Sequence, residues 1–377
     1  MLIKKSLETL DKLRILSQDS QYDLACACGT AQDEHRRRSP DGKWIYPVTM
    51  PDGRGTFLFK TLLSNVCVNN CKYCPLRENR DPRRCSLEPE EAAKIFLKYY
   101  RTGMVSGLFL SSGLLGTADN TMEKLNQTAS ILRRNNFRGY IHLKVMPGAS
   151  NLAIEKAVSL ASAVSLNIET AGEEHFRKLN SCKDYMQDII RPIKLISDLT
   201  AQGGRYARVS HTTQFIVGAS DETDRDIVKY SWGLYKRLRL DRVYFSAYQR
   251  GIGEKDLPGE SSASSNNDIL MREHRLYQVD WLIRKYGFQE EEIQFDEKGN
   301  LDLGMDPKES WAVRHPECFP VDINRAGKEA LLRVPGFGYI TVEDILENRK
   351  KGWTINSILQ LGKLGKRLEK AANYITF

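Results

Sequence analysis

At 377 residues the chain is too long for one ordinary hydrophobic core, so a large domain with one or two small ones is expected. The apolar fraction of 41% and charged fraction of 28% are those of a globular protein. No segment reaches the roughly 18 uninterrupted apolar residues a membrane helix needs, so no membrane partner is expected. The net charge of +8 permits a nucleic-acid partner without establishing one.

The opening residues Met1-Leu2-Ile3-Lys4-Lys5-Ser6-Leu7-Glu8 lack the apolar run and small-residue cleavage site of a secretory signal. A cytoplasmic location with reduced thiols is therefore expected, and the eight cysteines do not make a disulfide scaffold. An amphipathic helix over 6–16 leads into a polar, Gly- and Pro-punctuated stretch over 17–54, so 1–55 reads as an N-terminal extension. From Thr56 apolar runs alternate with helical patterns. The expected strands cover 56–63, 107–111, 140–145, 164–168, 209–217 and 242–247, with helices at 88–100, 120–134, 149–161, 184–201 and 221–238. This is an α/β pattern, a partial (βα)6 TIM-like barrel of parallel strands over 56–260. A helical linker or barrel cover follows over 261–320, and a small all-α module over 321–377.

The first strand runs into Val66-Cys67-Val68-Asn69-Asn70-Cys71-Lys72-Tyr73-Cys74-Pro75, a Cys-x3-Cys-x2-Cys loop. Three thiolates on one short loop hold three corners of a soft-metal centre, and a tetrahedral or cubane site needs four. A structural zinc site with Cys85 as fourth ligand is the alternative, although zinc sites usually pair two separated knuckles. In parallel barrels the chemistry sits in loops at the C-terminal ends of the strands, which is where this loop lies.

The loop resembles that of the radical S-adenosylmethionine (radical SAM) superfamily, with Tyr73 as the aromatic residue before the last cysteine. The resemblance implies a [4Fe–4S] cluster on Cys67, Cys71 and Cys74, whose open iron is chelated by S-adenosylmethionine. Reductive cleavage then gives a 5′-deoxyadenosyl radical, which requires a flavodoxin- or ferredoxin-like electron donor. It also implies cofactor contacts at the other strand ends: Ser111, Ser112 and Gly113 near the methionine amino group, and Asn167 and Glu169 at ribose or carboxylate. Gly218 would pack against adenine and Tyr248 would cover the nucleoside. A carboxylate at a strand end is equally suited to cap a helix, and a tyrosine there is a good rim residue.

The second strong signal is Leu331-Leu332-Arg333-Val334-Pro335-Gly336-Phe337-Gly338-Tyr339-Ile340, two short helices joined by Pro-Gly-Phe-Gly, which resembles a helix-hairpin-helix motif. Gly336 and Gly338 would expose backbone N–H groups that grip a phosphate without reading sequence. Residues 321–377 hold ten Lys/Arg against six Asp/Glu, and Arg349, Lys350 and Lys351 are candidate phosphate contacts, as is the run His35-Arg36-Arg37-Arg38. A purely structural αα-hairpin uses the same turn chemistry. Tyr22-Asp23-Leu24-Ala25-Cys26, the run from Arg272 to Leu282, and Phe319-Pro320-Val321-Asp322 further resemble the DNA modification/repair radical SAM proteins. That resemblance implies DNA as partner and association with a uracil-DNA-glycosylase-like protein. An RNA (tRNA) modifier and a non-catalytic iron–sulfur nucleic-acid-binding protein remain as alternatives. Cys26, Cys28, Cys85, Cys182 and Cys318 are candidates for an auxiliary cluster or for ordinary buried thiols.

Overall fold

The structure is a computed structural model describing residues 7–20, 44–49, 53–362 and 365–377. Cys26, Cys28 and the basic run 35–38 lie outside the described residues. The chain divides into two compact units, Met1–Glu222 with Gly233–Leu270, and Thr223–Trp232 with Met271–Phe377.

In chain order the elements begin with α1 (Thr9–Asp19), β1 (Ile45–Thr49), β2 (Gly55–Leu62), α2 (Pro89–Arg101), β3 (Gly107–Ser111) and α3 (Ala118–Arg134). Then come β4 (Tyr140–Lys144), α4 (Asn151–Leu160), β5 (Ala163–Ser165), α5 (Glu173–Leu179), a π turn (Tyr185–Ile190) and α6 (Arg191–Leu199). β6 (Ser210–Val217), α7 (Asp224–Leu238), β7 (Arg242–Ala247), α8 (Pro258–Ser261) and α9 (Asn266–Lys285) follow. The chain closes with α10 (Pro307–Arg314), β8 (Val321–Asp322), α11 (Lys328–Arg333), α12 (Tyr339–Lys350), α13 (Lys366–Ala372) and β9 (Ile375–Thr376).

The sheet runs β1 through β7 in sequence order. Strands β2 to β7 are parallel neighbours, and β1 adds an antiparallel edge to β2. The result is an α/β fold built on one seven-stranded, predominantly parallel sheet. All six expected strands form.

The sequence reading is corrected at four places. β1 lies inside the expected polar extension. Its central Pro47 has no N–H for a ladder and is tolerated because β1 is an edge strand. β5 stops at Ser165, two residues after its start, and rejoins β6 only through a bridge from Glu169 to Phe215. The expected helix over 184–201 is a π turn followed by α6, with the break just before Pro192, which has no N–H to continue an α ladder. The C-terminal segment is not all-α, because β8 and β9 pair in parallel.

The helix ends follow from local chemistry. Glu88 and Glu91 form a capping box around Pro89 at the start of α2. Thr117 accepts from Asn120 N, and Ser150 from Ala153 N, each worth about 1 kcal/mol. One face of the strands packs on the helices: Phe59 meets Phe96 of α2 at a ring separation of 5.9 Å, and Phe96 meets Phe137 at 4.9 Å. In the second unit, Val321, Leu331, Leu332, Val334, Phe337, Val342 and Ile345 close a separate core. Burying a side chain such as Phe337 contributes about 1.5–3 kcal/mol.

Candidate active site at the cysteine loop

The cysteine loop leaves β2 and is held at both ends. Asn65 donates to Asp19 Oδ2 (2.7 Å) and to the Arg83 carbonyl (2.8 Å), and accepts from Cys85 N (2.7 Å). The Arg84 guanidinium spans the loop's base, donating to the carbonyls of Asn65, Leu76, Arg77 and Arg80. The segment after β3 is stitched to the loop by Gly113 N to Ser64 O (2.7 Å) and Val68 N to Leu114 O (3.1 Å). A Cβ on Gly113 would collide with the Val66 carbonyl oxygen and stand 3.2 Å from Cys67 Cβ. Glycine is required there for close approach.

Cys71 is buried, while Cys67 and Cys74 are partly exposed. Burial and the charges of Cys71 and Cys67 push the Cys74 thiol up to about 12, partly offset by its bond from Leu76 N (3.4 Å) and by Lys183. Three thiols on one short loop form a soft donor set suited to a positive iron core. Two further groups converge on the same sulfur: Lys183 Nζ lies 3.1 Å and Asn180 Nδ2 3.2 Å from Cys71 Sγ. The Cys71 thiolate and the Glu169 carboxylate hold the Lys183 ammonium above the ordinary lysine range although burial opposes it.

Among the described residues, no three His, Cys, Asp or Glu gather tightly enough to hold a single metal ion. A cubane cluster places each thiolate on a different iron, so its ligands stand further apart than those of one zinc. Cys85 points elsewhere, its sulfur 3.8 Å from the Lys12 carbonyl and its electrostatic neighbours Asp19, Lys12 and Arg83. The surroundings of Cys85 therefore do not include the three loop cysteines. Cys182 and Cys318 are exposed.

Glu169 is the most unusual strand-end residue. Its φ of +67° is left-handed, which costs a non-glycine residue about 1–2 kcal/mol. The backbone is fixed there by Glu169 N to Gln214 O (3.0 Å) and Ile216 N to Glu169 O (2.7 Å). Its carboxylate accepts from Asn167 Nδ2 (3.3 Å), and the Tyr73 hydroxyl lies beside it. Burial pushes the Glu169 carboxyl up, against the pull of Lys144 and Lys183. Burial and the adjacent Glu169 push the Tyr73 hydroxyl well above its ordinary range.

Other expected residues are placed as follows. Ser111 ends β3, and the buried Ser112 hydroxyl has no protein partner. Gly218 has a φ of +80°, and its carbonyl is covered so closely by Gly259 that a Cβ there would clash. Tyr248 packs with Leu179, Ile216, Ala219 and Leu257, beside Tyr73, and donates to Glu260 Oε1 (2.5 Å). The 249–257 segment is tied onto the cysteine loop by Glu254 N to Lys72 O (2.9 Å) and by Arg77 to Ile252 O (2.9 Å). Cys67, Cys71, Cys74, Tyr73, Gly113, Asn167 and Glu169 thus share one region with Lys183, Asn180 and Lys144. No spacing motif announces those last three. Lys183 lies 112 residues beyond the cysteine it serves.

In the second unit, α11 and α12 are joined by Pro335-Gly336-Phe337-Gly338, and Gly336 has a φ of +90°. Lys308 Nζ donates to Phe337 O (2.6 Å) and fixes the turn. Arg349 points its guanidinium at the Ala326 and Arg325 carbonyls, while Lys350 and Lys351 are exposed. A groove of about 560 Å³ is lined by Asn324, Leu346, Arg349, Lys350 and Trp353. No helix among the described residues is long and apolar enough to cross a membrane.

Residues 61–230 match the model of the Radical SAM superfamily. Among solved structures the chain is similar to methylornithine synthase (PylB), at 15% identity and a TM-score of 0.47 over 74% of each chain. It is also similar to the FeFe-hydrogenase maturase HydG from Carboxydothermus hydrogenoformans, at 16% identity and a TM-score of 0.42 over 83% of this chain and 75% of that one. A third is the radical S-adenosylmethionine methyltransferase TsrM from Kitasatospora setae, at 12% identity and a TM-score of 0.39 over 51% of this chain and 37% of that one. No curated protein matches the chain. Residues 61–230 are a radical SAM superfamily domain, the kind of domain that uses a [4Fe–4S] cluster and S-adenosylmethionine.

Proposed function

We propose that Cys67, Cys71 and Cys74 hold the cluster and that the enzyme acts on nucleic acid, in DNA modification or repair. When bound, the cluster and S-adenosylmethionine supply reductive cleavage to a 5′-deoxyadenosyl radical. The chain's own residues do the rest. Lys183 and Asn180 donate to the Cys71 sulfur and fix its orientation. Tyr73, Asn167 and Glu169 form a polar cluster beside the loop, suited to the hydroxyl and ammonium groups of S-adenosylmethionine. The segment over 249–257 closes over the loop and limits the access of water.

The nucleic-acid reading is carried by the α11–α12 hairpin. The first intrahelical bond of α12 is Val342 N to Gly338 O (3.0 Å), so the N–H groups of Tyr339, Ile340 and Thr341 precede the ladder. Ile340 is 77% exposed, and the helix start faces solvent. A helix N-terminus of this kind, after a glycine turn, suits a backbone phosphate. Exposed Lys350 and Lys351 add charge at the other end of α12.

The test is to reduce the cluster-loaded protein with S-adenosylmethionine and add single-stranded DNA, duplex DNA or tRNA. DNA is expected to raise 5′-deoxyadenosine formation and to bind with an affinity that falls steeply with salt. No increase with any nucleic acid refutes the substrate. A response to tRNA alone moves the reading to RNA.

A further inference from the structure

The second unit presents a tryptophan to solvent from a rigid frame. Trp353 is 65% exposed, yet its backbone is fixed on both sides. α12 ends in a Schellman turn: Gly352, with a φ of +79°, donates its N–H to Arg349 O (3.0 Å), and Trp353 N donates to Asn348 O (3.0 Å). Two residues on, the Asn324 amide holds the Ile355 backbone in both directions, donating to its carbonyl and accepting from its N–H at 2.9 Å each. The Ile355 side chain is part of the core of this unit. In such turns the residue after the glycine commonly packs on an apolar residue in the last helical turn. Here those places hold Asn348 and Glu347, so the indole has no such cover.

Trp353 forms one wall of the groove of about 560 Å³, with Asn324, Leu346, Arg349 and Lys350. The lining contains two cations and no carboxylate. Arg349 is spent on the Ala326 and Arg325 carbonyls and serves as wall. Lys350 and Lys351 are exposed. Lys350 feels the Glu343 carboxylate, but Glu343 is itself paired with Lys328. Asp344 and Glu347 are exposed on α12 and do not line the groove. Basic residues in the last turn of a helix offset its dipole and need no ligand. That does not account for the bare indole beside them. An aromatic face next to ammonium groups matches a nucleotide, which joins a flat base to an anionic phosphate. An acidic peptide would satisfy the charge and leave the indole face unused.

We propose that this groove takes an unpaired nucleotide of single-stranded nucleic acid, its base stacked on Trp353 and its flanking phosphates held by Lys350 and Lys351. The groove rests on the nucleic-acid reading and narrows it. The hairpin turn grips a backbone at the start of α12, and the groove at the other end of that helix, about 18 Å away, selects for an unstacked base.

The experiment follows fluorescence anisotropy of labelled oligothymidylate, a duplex of the same length and an abasic strand with the same phosphates, each titrated with the full cluster-loaded chain. Oligothymidylate should bind more tightly than the abasic strand, a comparison on wild-type protein that no folding defect can mimic. Trp353→Ala should weaken oligothymidylate by roughly fivefold or more, Trp353→Phe should retain most of the affinity, and neither should alter binding of the abasic strand. Lys351→Gln should lower the salt slope for oligothymidylate by about 0.7. Equal affinity for the abasic strand, or a Trp353→Ala variant that binds oligothymidylate as wild type does, overturns the groove and leaves the nucleic-acid reading intact. No binding of any strand refutes that reading and the groove together. Polyglutamate binding that depends on Trp353 assigns the groove to an acidic protein and overturns the nucleotide.

Discussion

Replacing Gly113 by alanine tests how the cysteine loop is positioned. The backbone of Gly113 does not lie in the left-handed region, so alanine adds no conformational strain and only the methyl group matters. That methyl would stand 3.0 Å from the Val66 carbonyl carbon, closer still to its oxygen, and 3.2 Å from Cys67 Cβ. Comfortable carbon–carbon contact is about 3.5–4.0 Å, so the loop must retreat by roughly 0.5–1 Å. The obstacle is backbone and cannot swing aside. Overpacking of this kind costs about 1–3 kcal/mol, or a fall of roughly 2–12 °C in melting temperature for a unit of this size. The retreat also strains Gly113 N to Ser64 O and Val68 N to Leu114 O, and moves Cys67 relative to Cys71. The expected result is less iron per chain after reconstitution and a weaker visible absorbance band. Gly116→Ala is the control: its φ of +70° costs about 1–2 kcal/mol, but the added methyl meets nothing within 4 Å. It should lower stability and leave iron loading alone. Wild-type iron content and melting temperature in Gly113→Ala would falsify the close-approach argument.

Three further outcomes are expected. His211 is buried with both ring nitrogens unpartnered, and burial pushes its pKa down to about 3. Its folded pKa lies below the unfolded value, so stability is full above about pH 6.5 and is lost as pH falls toward 3. This amounts to about 2 kcal/mol at pH 5. Urea melts of His211→Leu should show a smaller loss between pH 7.5 and 5 than wild type; an equal loss counts against the burial. Burial likewise pushes the Lys308 amine down to about 7, outweighing Asp306 and the Tyr286 ring 4.6 Å away. Stability should therefore fall as pH drops from the ordinary lysine range near ~10.4 to about 7 and not change further below it. Lys308→Met should flatten that slope, and an unchanged slope refutes the assignment. Gly336→Ala combines a φ of +90° with a collision against the Arg367 carbonyl, for about 2–5 kcal/mol in all. Calorimetry showing a loss under 1 kcal/mol would mean the hairpin relaxes freely.

The barrel strands were legible because buried parallel strands read as apolar runs bounded by helical patterns. Even so, the same runs hid which of their residues adjoin: Lys60, His142, Lys144 and Arg242 sit among hydrophobic neighbours and look like interruptions until register sets them in rows across the strands. β1 was hidden by the central Pro47, which argues against a strand anywhere but at an edge. α5, at seven residues, is too short for its period to register. The cysteine loop was legible from spacing alone. Lys183 and Asn180 were not, since their partner Cys71 is more than a hundred residues away and only the fold joins them. In the C-terminal unit the hairpin was visible from Pro335 and its glycines, but composition could not show that Arg349 spends its guanidinium on the Arg325 and Ala326 carbonyls.

The Arg84 guanidinium bonds to the carbonyls of Asn65, Leu76, Arg77 and Arg80 using protein atoms alone. Under the proposed reading these bonds would hold the base of the loop when the cluster is lost, unlike small zinc modules that unfold when stripped. Exposure to oxygen would then destroy the inorganic core and spare the socket. An inactivated molecule could be refilled by the cell's iron–sulfur assembly machinery instead of being degraded, so the lifetime of the polypeptide is uncoupled from that of its metallocentre.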